Sequence, residues 1–159
     1  KETIKLRTTI NDLFNSRARV IYLTSFYRGK LVWIKGKNSE EYKFCFSHPH
    51  NADCFPKMPV ILQSNGLPWD IGNAYLLGQL DRPNLSNMKT LSSRAIHLKY
   101  YLQYLEDTDQ HFLDLPKLYH ERAPQKFKAF MTDILYSLDY SAEYINNILS
   151  TVAHFYTNS

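Results

Sequence analysis

The chain has 159 residues, of which 44% are hydrophobic, and it carries a formal net charge of +4. This composition predicts a globular protein with one ordinary domain or two small ones. No stretch approaches the ~20 consecutive apolar residues of a membrane span, and the first residues, Lys1-Glu2-Thr3, lack the apolar core of a secretory signal. We therefore expect a soluble, cytoplasmic protein without a membrane partner.

Positive charge is concentrated in the N-terminal part of the chain. Residues 1–59 contain 11 Lys and Arg against 5 Asp and Glu, whereas residues 60–159 contain 8 against 10. A basic surplus attracts polyanions, and nucleic acid is the first candidate. A solvated basic surface without a partner explains the same count, so charge alone leaves both interpretations open.

The first fifty residues have the pattern of a small antiparallel sheet. Arg19 to Phe26, Lys30 to Lys35 and Glu41 to Phe46 are rich in β-branched and aromatic residues, and glycine-containing turns separate them. These runs predict a three-stranded antiparallel meander. Because three strands are near the minimum for independent stability, we expect the sheet to lean on a helix around Ile10 to Phe14.

A proline-rich segment follows the predicted strands. Four prolines lie between His48 and Pro68, where few positions are periodic, so we expect an extended linker. The boundary is placed near residue 60, which divides the chain into a basic sheet domain, 1–59, and a second domain, 60–159.

The second domain has the 3.6-residue period of helices. Four are predicted, at about 69–80, 90–107, 124–138 and from a Ser141 cap to about Phe155. The second has the most regular apolar stripe, formed by Leu91, Ala95, Leu98, Leu102 and Leu105. Since each helix has one apolar side, the four should pack as a bundle, and the fold class is α+β.

The two cysteines and the histidines between them have side chains that could form a metal site. Cys45, His48, His50 and Cys54 offer thiolate and imidazole, the ligands that zinc prefers. Their spacing fits no common zinc module, and Cys45 falls in a predicted strand where a buried thiol is ordinary. We therefore expect reduced thiols, with no metal and no cofactor.

Three segments of the second domain resemble one protein family. They are PVILQSNGLPWDIGNAYLLGQL at 59–80, LSSRAIHLKYYLQYLED at 91–107 and YSAEYINNILSTVAHFYTNS at 140–159. In order and spacing they resemble the core-binding domain, a SAM-like helical module, of tyrosine recombinases, the phage-integrase family. One departure is Ser93-Arg94-Ala95, where a threonine-tyrosine step is common in the family.

The resemblance implies a function as well as a fold. The family's core-binding and catalytic domains clamp duplex DNA, with the second and fourth core-binding helices presented to the major groove, and other recombinase protomers join in the full-length protein. The catalytic arginines, the His-x-x-Arg box and the tyrosine nucleophile would follow Ser159. Since the chain also begins without Met, we expect a DNA-binding fragment of a bacterial or mobile-element recombinase. It should have no catalytic residue and no small-molecule substrate.

The residues expected to contact DNA lie on the second and fourth predicted helices. They are Lys89, Ser92, Ser93, Arg94 and Lys99 on the second, and Ser141, Asn146 and Asn147 on the fourth. Helix N-termini favour anions, and these side chains can hydrogen-bond phosphates or base edges. The alternative is structural: the serines act as helix caps, and the other side chains are solvated.

Three other interpretations remain open. A helical protein-interaction module is the main alternative, because residues 60–159 have a net negative charge; a small complete enzyme has the least support, because no nucleophile–base spacing or phosphate loop is visible. The basic sheet could also touch DNA, or its aromatic residues could simply form a core. The residues concerned are Arg17, Arg19, Arg28, Lys30, Lys35, Lys37 and Lys43, interleaved with Tyr22, Phe26, Tyr27 and Trp33.

Overall fold

The computed structural model describes residues 9–28, 31–35, 42–46, 53–80 and 88–157. Its strands are β1 (Arg19–Arg28), β2 (Leu31–Lys35), β3 (Tyr42–Phe46) and β4 (Asp53–Leu62), and its helices are α1 (Asp70–Gln79), α2 (Met88–Asp107), α3 (Ala123–Leu138) and α4 (Ala142–Thr157). Short 3-10 helices lie at Ile10–Leu13 and Tyr119–Glu121. Strands followed by four helices make the fold α+β, as predicted.

The strands pair differently from the predicted meander. In the part of the chain that the structure describes, β1 pairs with β4, and β2 pairs antiparallel with β3 so that Leu31 lies opposite Phe46. The segment expected to be a linker therefore contains a ten-residue strand, β4. This strand accommodates Pro56 and Pro59 because a strand with a single hydrogen-bonded neighbour leaves one side of its backbone unpaired.

The chain divides into two compact units. One contains the described residues up to Ile21 together with those from Pro59 onwards, and the other is Tyr22–Met58. The chain returns from the second unit to the first at Pro59, next to the predicted boundary near residue 60. The point at which it leaves the first unit, after Ile21, was not predicted, because the segment before β1 was assigned to the sheet domain.

The segment before β1, which was expected to support the sheet, packs on the helices of its own unit. The Phe14 ring lies 5.7 Å from the Phe130 ring of α3, and the Lys99 ammonium of α2 donates to Asn11 Oδ1 at 2.7 Å. Ile10 and Phe14 are both buried. Apolar side chains are stabilised wherever they leave water, and here the helices provide that surface.

Hydrogen bonds to the acidic end of α2 fix the same segment. The Asp107 carboxylate accepts from the backbone N–H of Asn15 at 2.9 Å and of Ser16 at 2.8 Å. The Glu106 carboxylate accepts from the Ser16 hydroxyl at 2.8 Å and from the Ser64 hydroxyl. A carboxylate is unfavourable at a helix C-terminus, and charge-assisted bonds of this kind offset that cost.

The core of the helical unit is rich in aromatic rings. Phe155 of α4 is fully buried, and its ring lies 5.5 Å from Trp69, 5.5 Å from Tyr75 and 5.1 Å from Phe112. Helix α2 packs against each of the other three helices. Its predicted stripe is confirmed, since all five members are buried: Leu91, Ala95, Leu98, Leu102 and Leu105.

Candidate nucleic-acid interface

Helices α2 and α4 pack side by side and leave an open groove of about 410 Å³ between them. We call it the α2–α4 groove, and its lining residues are Thr90, Ser93, Arg94, His97, Tyr144, Asn147 and Thr151. Three residues predicted from two distant segments, Ser93, Arg94 and Asn147, therefore meet in one place. This convergence makes the groove the candidate site.

Arg94 is held in position by helix α1. Its Nη1 donates to Oε1 of the buried Gln79 at 2.6 Å. A guanidinium has five N–H donors in a planar fork, so one bond to Gln79 leaves donors that can reach a ligand in the groove. Arg94 also supplies the formal positive charge of the lining.

The floor of the groove is polar and uncharged at neutral pH. The Thr151 hydroxyl donates to the backbone carbonyl of Asn147 at 3.1 Å and lies 2.8 Å from His97 Nδ1. The hydroxyl therefore accepts from His97, which places the imidazole proton on Nδ1. Burial lowers the pKa of His97 from 6.5 to about 4, so the ring is neutral at physiological pH.

The half-buried imidazole of His97 should make the free energy of unfolding depend on pH. His97 binds a proton more weakly in the folded chain than in the unfolded chain, so the free energy of unfolding should fall as the pH drops from 6.5 towards 4. Replacing His97 with glutamine should reduce the difference in unfolding free energy between about pH 7 and about pH 5, measured by urea titration. An unchanged difference would show that His97 does not contribute to it.

The starts of the two helices flank the groove. The Ser141 Oγ accepts from the backbone N–H of Tyr144 at 3.1 Å, so this serine caps α4 as the structural alternative expected. The Tyr140 and Tyr144 rings stack beside it at 5.9 Å. Lys89 is exposed in the first turn of α2, and Ser92 is half-buried.

Lys99 lies apart from the other predicted residues. It is only 9% exposed, its Nζ donates to Asn11, and the ammonium lies 4.6 Å from the centre of the Tyr100 ring. Burial lowers its pKa. Five residues separate Lys99 from Arg94, which corresponds to roughly 140° around a helix, so the two side chains point to different sides of α2. Lys99 is therefore left out of the candidate site.

Asn146 is also outside the groove, although its neighbour Asn147 lines it. Consecutive residues are about 100° apart on a helix. Asn146 consequently faces a second groove, between α3 and α4, which is described below. Adjacent asparagines in the sequence thus belong to two different surfaces.

Four lining residues were not predicted. They are Thr90, His97, Tyr144 and Thr151. Helical spacing could have found them, because residues three and four apart lie on one face. His97 follows Ser93 and Arg94 by that spacing, and Tyr144 and Thr151 flank Asn147 by the same steps.

Some residues of the predictions for the sheet unit lie outside the described ranges. His48 and His50 of the possible zinc set are outside them, as are Lys30 and Lys37 of the basic sheet. Cys45 lies in β3 and Cys54 in β4. Within the described ranges, no three His, Cys, Asp or Glu residues form a group that could hold a metal ion.

Comparisons of the chain with protein-family models, with curated proteins and with solved structures give no match. The resemblance to tyrosine recombinases accordingly depends on the three sequence segments alone. Among the described helices, none combines the length and apolar character needed to cross a bilayer.

Proposed function

We propose that the helical unit binds duplex DNA through the α2–α4 groove and the two helix starts beside it. In this proposal the chain is the DNA-gripping region of a site-specific tyrosine recombinase, and a catalytic domain after Ser159 would cut and rejoin the strands. The chain itself contributes no catalytic residue. The observation that carries the proposal is the convergence of Ser93, Arg94 and Asn147 on one groove.

The groove residues match the chemistry of a DNA duplex. An arginine fork can bond a phosphate or the O6 and N7 atoms of guanine, and an asparagine amide can pair with adenine. The Ser93 hydroxyl and the ammonium of the exposed Lys89 suit phosphate oxygens. Arg94 and Asn147 would thus select bases, while Lys89 and Ser93 position the duplex.

The acidic end of α2 does not oppose this binding. Arg94 and Glu106 are twelve residues apart, about 18 Å along the helix, which exceeds the screening length of about 8–10 Å at physiological salt. The carboxylates of Glu106 and Asp107 also accept hydrogen bonds from Asn15, Ser16 and Ser64. Their charge is therefore distant from the groove and partly compensated.

Salt dependence tests the proposal. The chain should bind a labelled duplex of about 30 base pairs in fluorescence anisotropy, and two or three phosphate contacts predict a roughly ten- to fortyfold loss of affinity between about 50 and 200 mM NaCl. Binding that is absent at about 100 μM chain, or insensitive to salt, would contradict a DNA-gripping role. It would favour the alternative of a protein-interaction module.

A further inference from the structure

A second groove, of about 660 Å³, lies between the first turns of α3 and residues 146–156 of α4. We call it the α3–α4 groove, and the lining residues that the argument uses are Leu115, Tyr119, Arg122, Lys128, Asn146 and Tyr156. On α4, Asn146, Ser150 and Ala153 line the α3–α4 groove, whereas Asn147 and Thr151 line the α2–α4 groove. The two grooves are separate surfaces.

An exposed apolar stretch borders this second groove. Four large apolar residues lie within seven positions of the α2–α3 connection, with exposures of 63% for Leu113, 54% for Leu115, 54% for Leu118 and 64% for Tyr119. A single exposed leucine is ordinary, but a cluster beside a groove is typical of a binding surface. Leu115 and Tyr119 also form part of the groove wall.

The charges at the groove are positive. The Arg122 Nε donates to the Pro116 carbonyl at 3.1 Å, and its guanidinium lies 5.7 Å from the centre of the Tyr119 ring. Lys128 is exposed. Neither cation pairs with a carboxylate among the residues that the structure describes. A ligand with carboxylates beside an apolar surface would complement them.

We propose that the α3–α4 groove binds a short amphipathic helix of a partner protein, with an apolar stripe flanked by acidic residues. Two helices form its walls, and a third helix can lay its ridges into the channel between them. Asn146 and Tyr156 are ten residues apart, so the groove extends about 15 Å along α4, which accommodates about three helical turns. This function goes beyond DNA binding and does not depend on it.

A designed peptide pair provides the probe. One peptide has about 15 residues, with leucine at helical i, i+3, i+4 and i+7 spacing and glutamate on the flanks, and the other has lysine in place of every glutamate. We expect the glutamate peptide to bind the full chain at least about fivefold more tightly than the lysine peptide. In NMR spectra, the backbone signals that shift should be those of residues such as Leu115, Lys128 and Asn146.

Matched variants localise the binding. Lys128→Glu should weaken the glutamate peptide at least about fivefold, and Leu115→Ser should weaken both peptides, whereas Lys126→Glu makes the same charge change at an exposed position of α3 outside the lining and should have little effect. Equal binding of the two peptides, shifts confined to other surfaces, or equal losses in Lys126→Glu and Lys128→Glu would each overturn the proposal. Circular dichroism checks that every variant is folded.

Discussion

Replacing Lys89 and Arg94 together with glutamate is expected to lower the affinity of the chain for duplex DNA by at least about tenfold at low salt. Two cations that face phosphates or base edges become anions, so attraction is lost and repulsion is added. The slope of log affinity against log salt should also decrease by about one, because Lys89 is the cation proposed to contact phosphate and a lost phosphate contact removes about one released counterion.

A control variant must separate the effect of the change in net charge from the effect of where the two cations lie. Replacing Lys117 and Lys126 with glutamate makes the same change in net charge at two exposed positions outside the α2–α4 groove. This control should lose little affinity in the same anisotropy titration. An equal loss in both double variants would mean that only the overall charge matters, and the groove would no longer be the site.

The structural role of Arg94 needs its own check. Its loss leaves Oε1 of the buried Gln79 without the donor it has now, which should cost about 1–3 kcal/mol of stability. Urea unfolding of the double variant therefore accompanies the binding experiment. Lys89→Glu alone leaves the hydrogen bond between Arg94 and Gln79 in place, and it should by itself reduce the salt slope by about one.

The two glycines of α1 should respond to alanine with opposite signs. A Cβ on Gly72 would lie 2.3 Å from a carbon of the Trp69 ring, whereas a Cβ on Gly78 would have no atom of the described residues within 4 Å. Trp69 is buried and its ring packs on Phe155, so it cannot move away freely. Gly72→Ala should therefore lower the free energy of unfolding by about 1–3 kcal/mol.

Gly78→Ala is the matched control and should raise the free energy of unfolding. Glycine inside a helix costs roughly 0.5–1 kcal/mol relative to alanine, and no described atom near Gly78 opposes that gain. Urea titration followed by circular dichroism measures both variants. An increase in both variants would show that the contact between Trp69 and Gly72 is looser than described, and a decrease in both would contradict the prediction for Gly78.

Local patterns were sufficient to predict the helices. The stripe of α2 and the Ser141 cap of α4 are both confirmed, because apolar spacing and capping depend on residues within a few positions of each other. Ser93 and Arg94 were proposed instead from the family resemblance and from their place at the start of a predicted helix. Ser93 and Arg94 lie close to Asn147 because α2 packs on α4. The predicted bundle did not specify which helices are neighbours.

Long-range partners could not be predicted in the same way. The strand β4 was taken for a linker because Pro56 and Pro59 argue against a central strand, and its pairing with β1 spans distant parts of the chain. Lys99 was taken for a surface cation, but Asn11 lies at the other end of the sequence and accepts its hydrogen bond. In both cases the residue or strand that forms the interaction is distant in the sequence.

The chain leaves the helical unit after Ile21 and returns to it at Pro59, so the sheet unit is an insertion within the helical unit. The helical unit is therefore discontinuous in sequence, and it includes Ile10 and Phe14 from before the insertion. A fragment that begins at residue 60 would lack those side chains and would also remove the N–H donors of Asn15 and Ser16 from Asp107. A minimal helical unit must therefore keep the described residues up to Ile21 as well as those from Pro59 onwards.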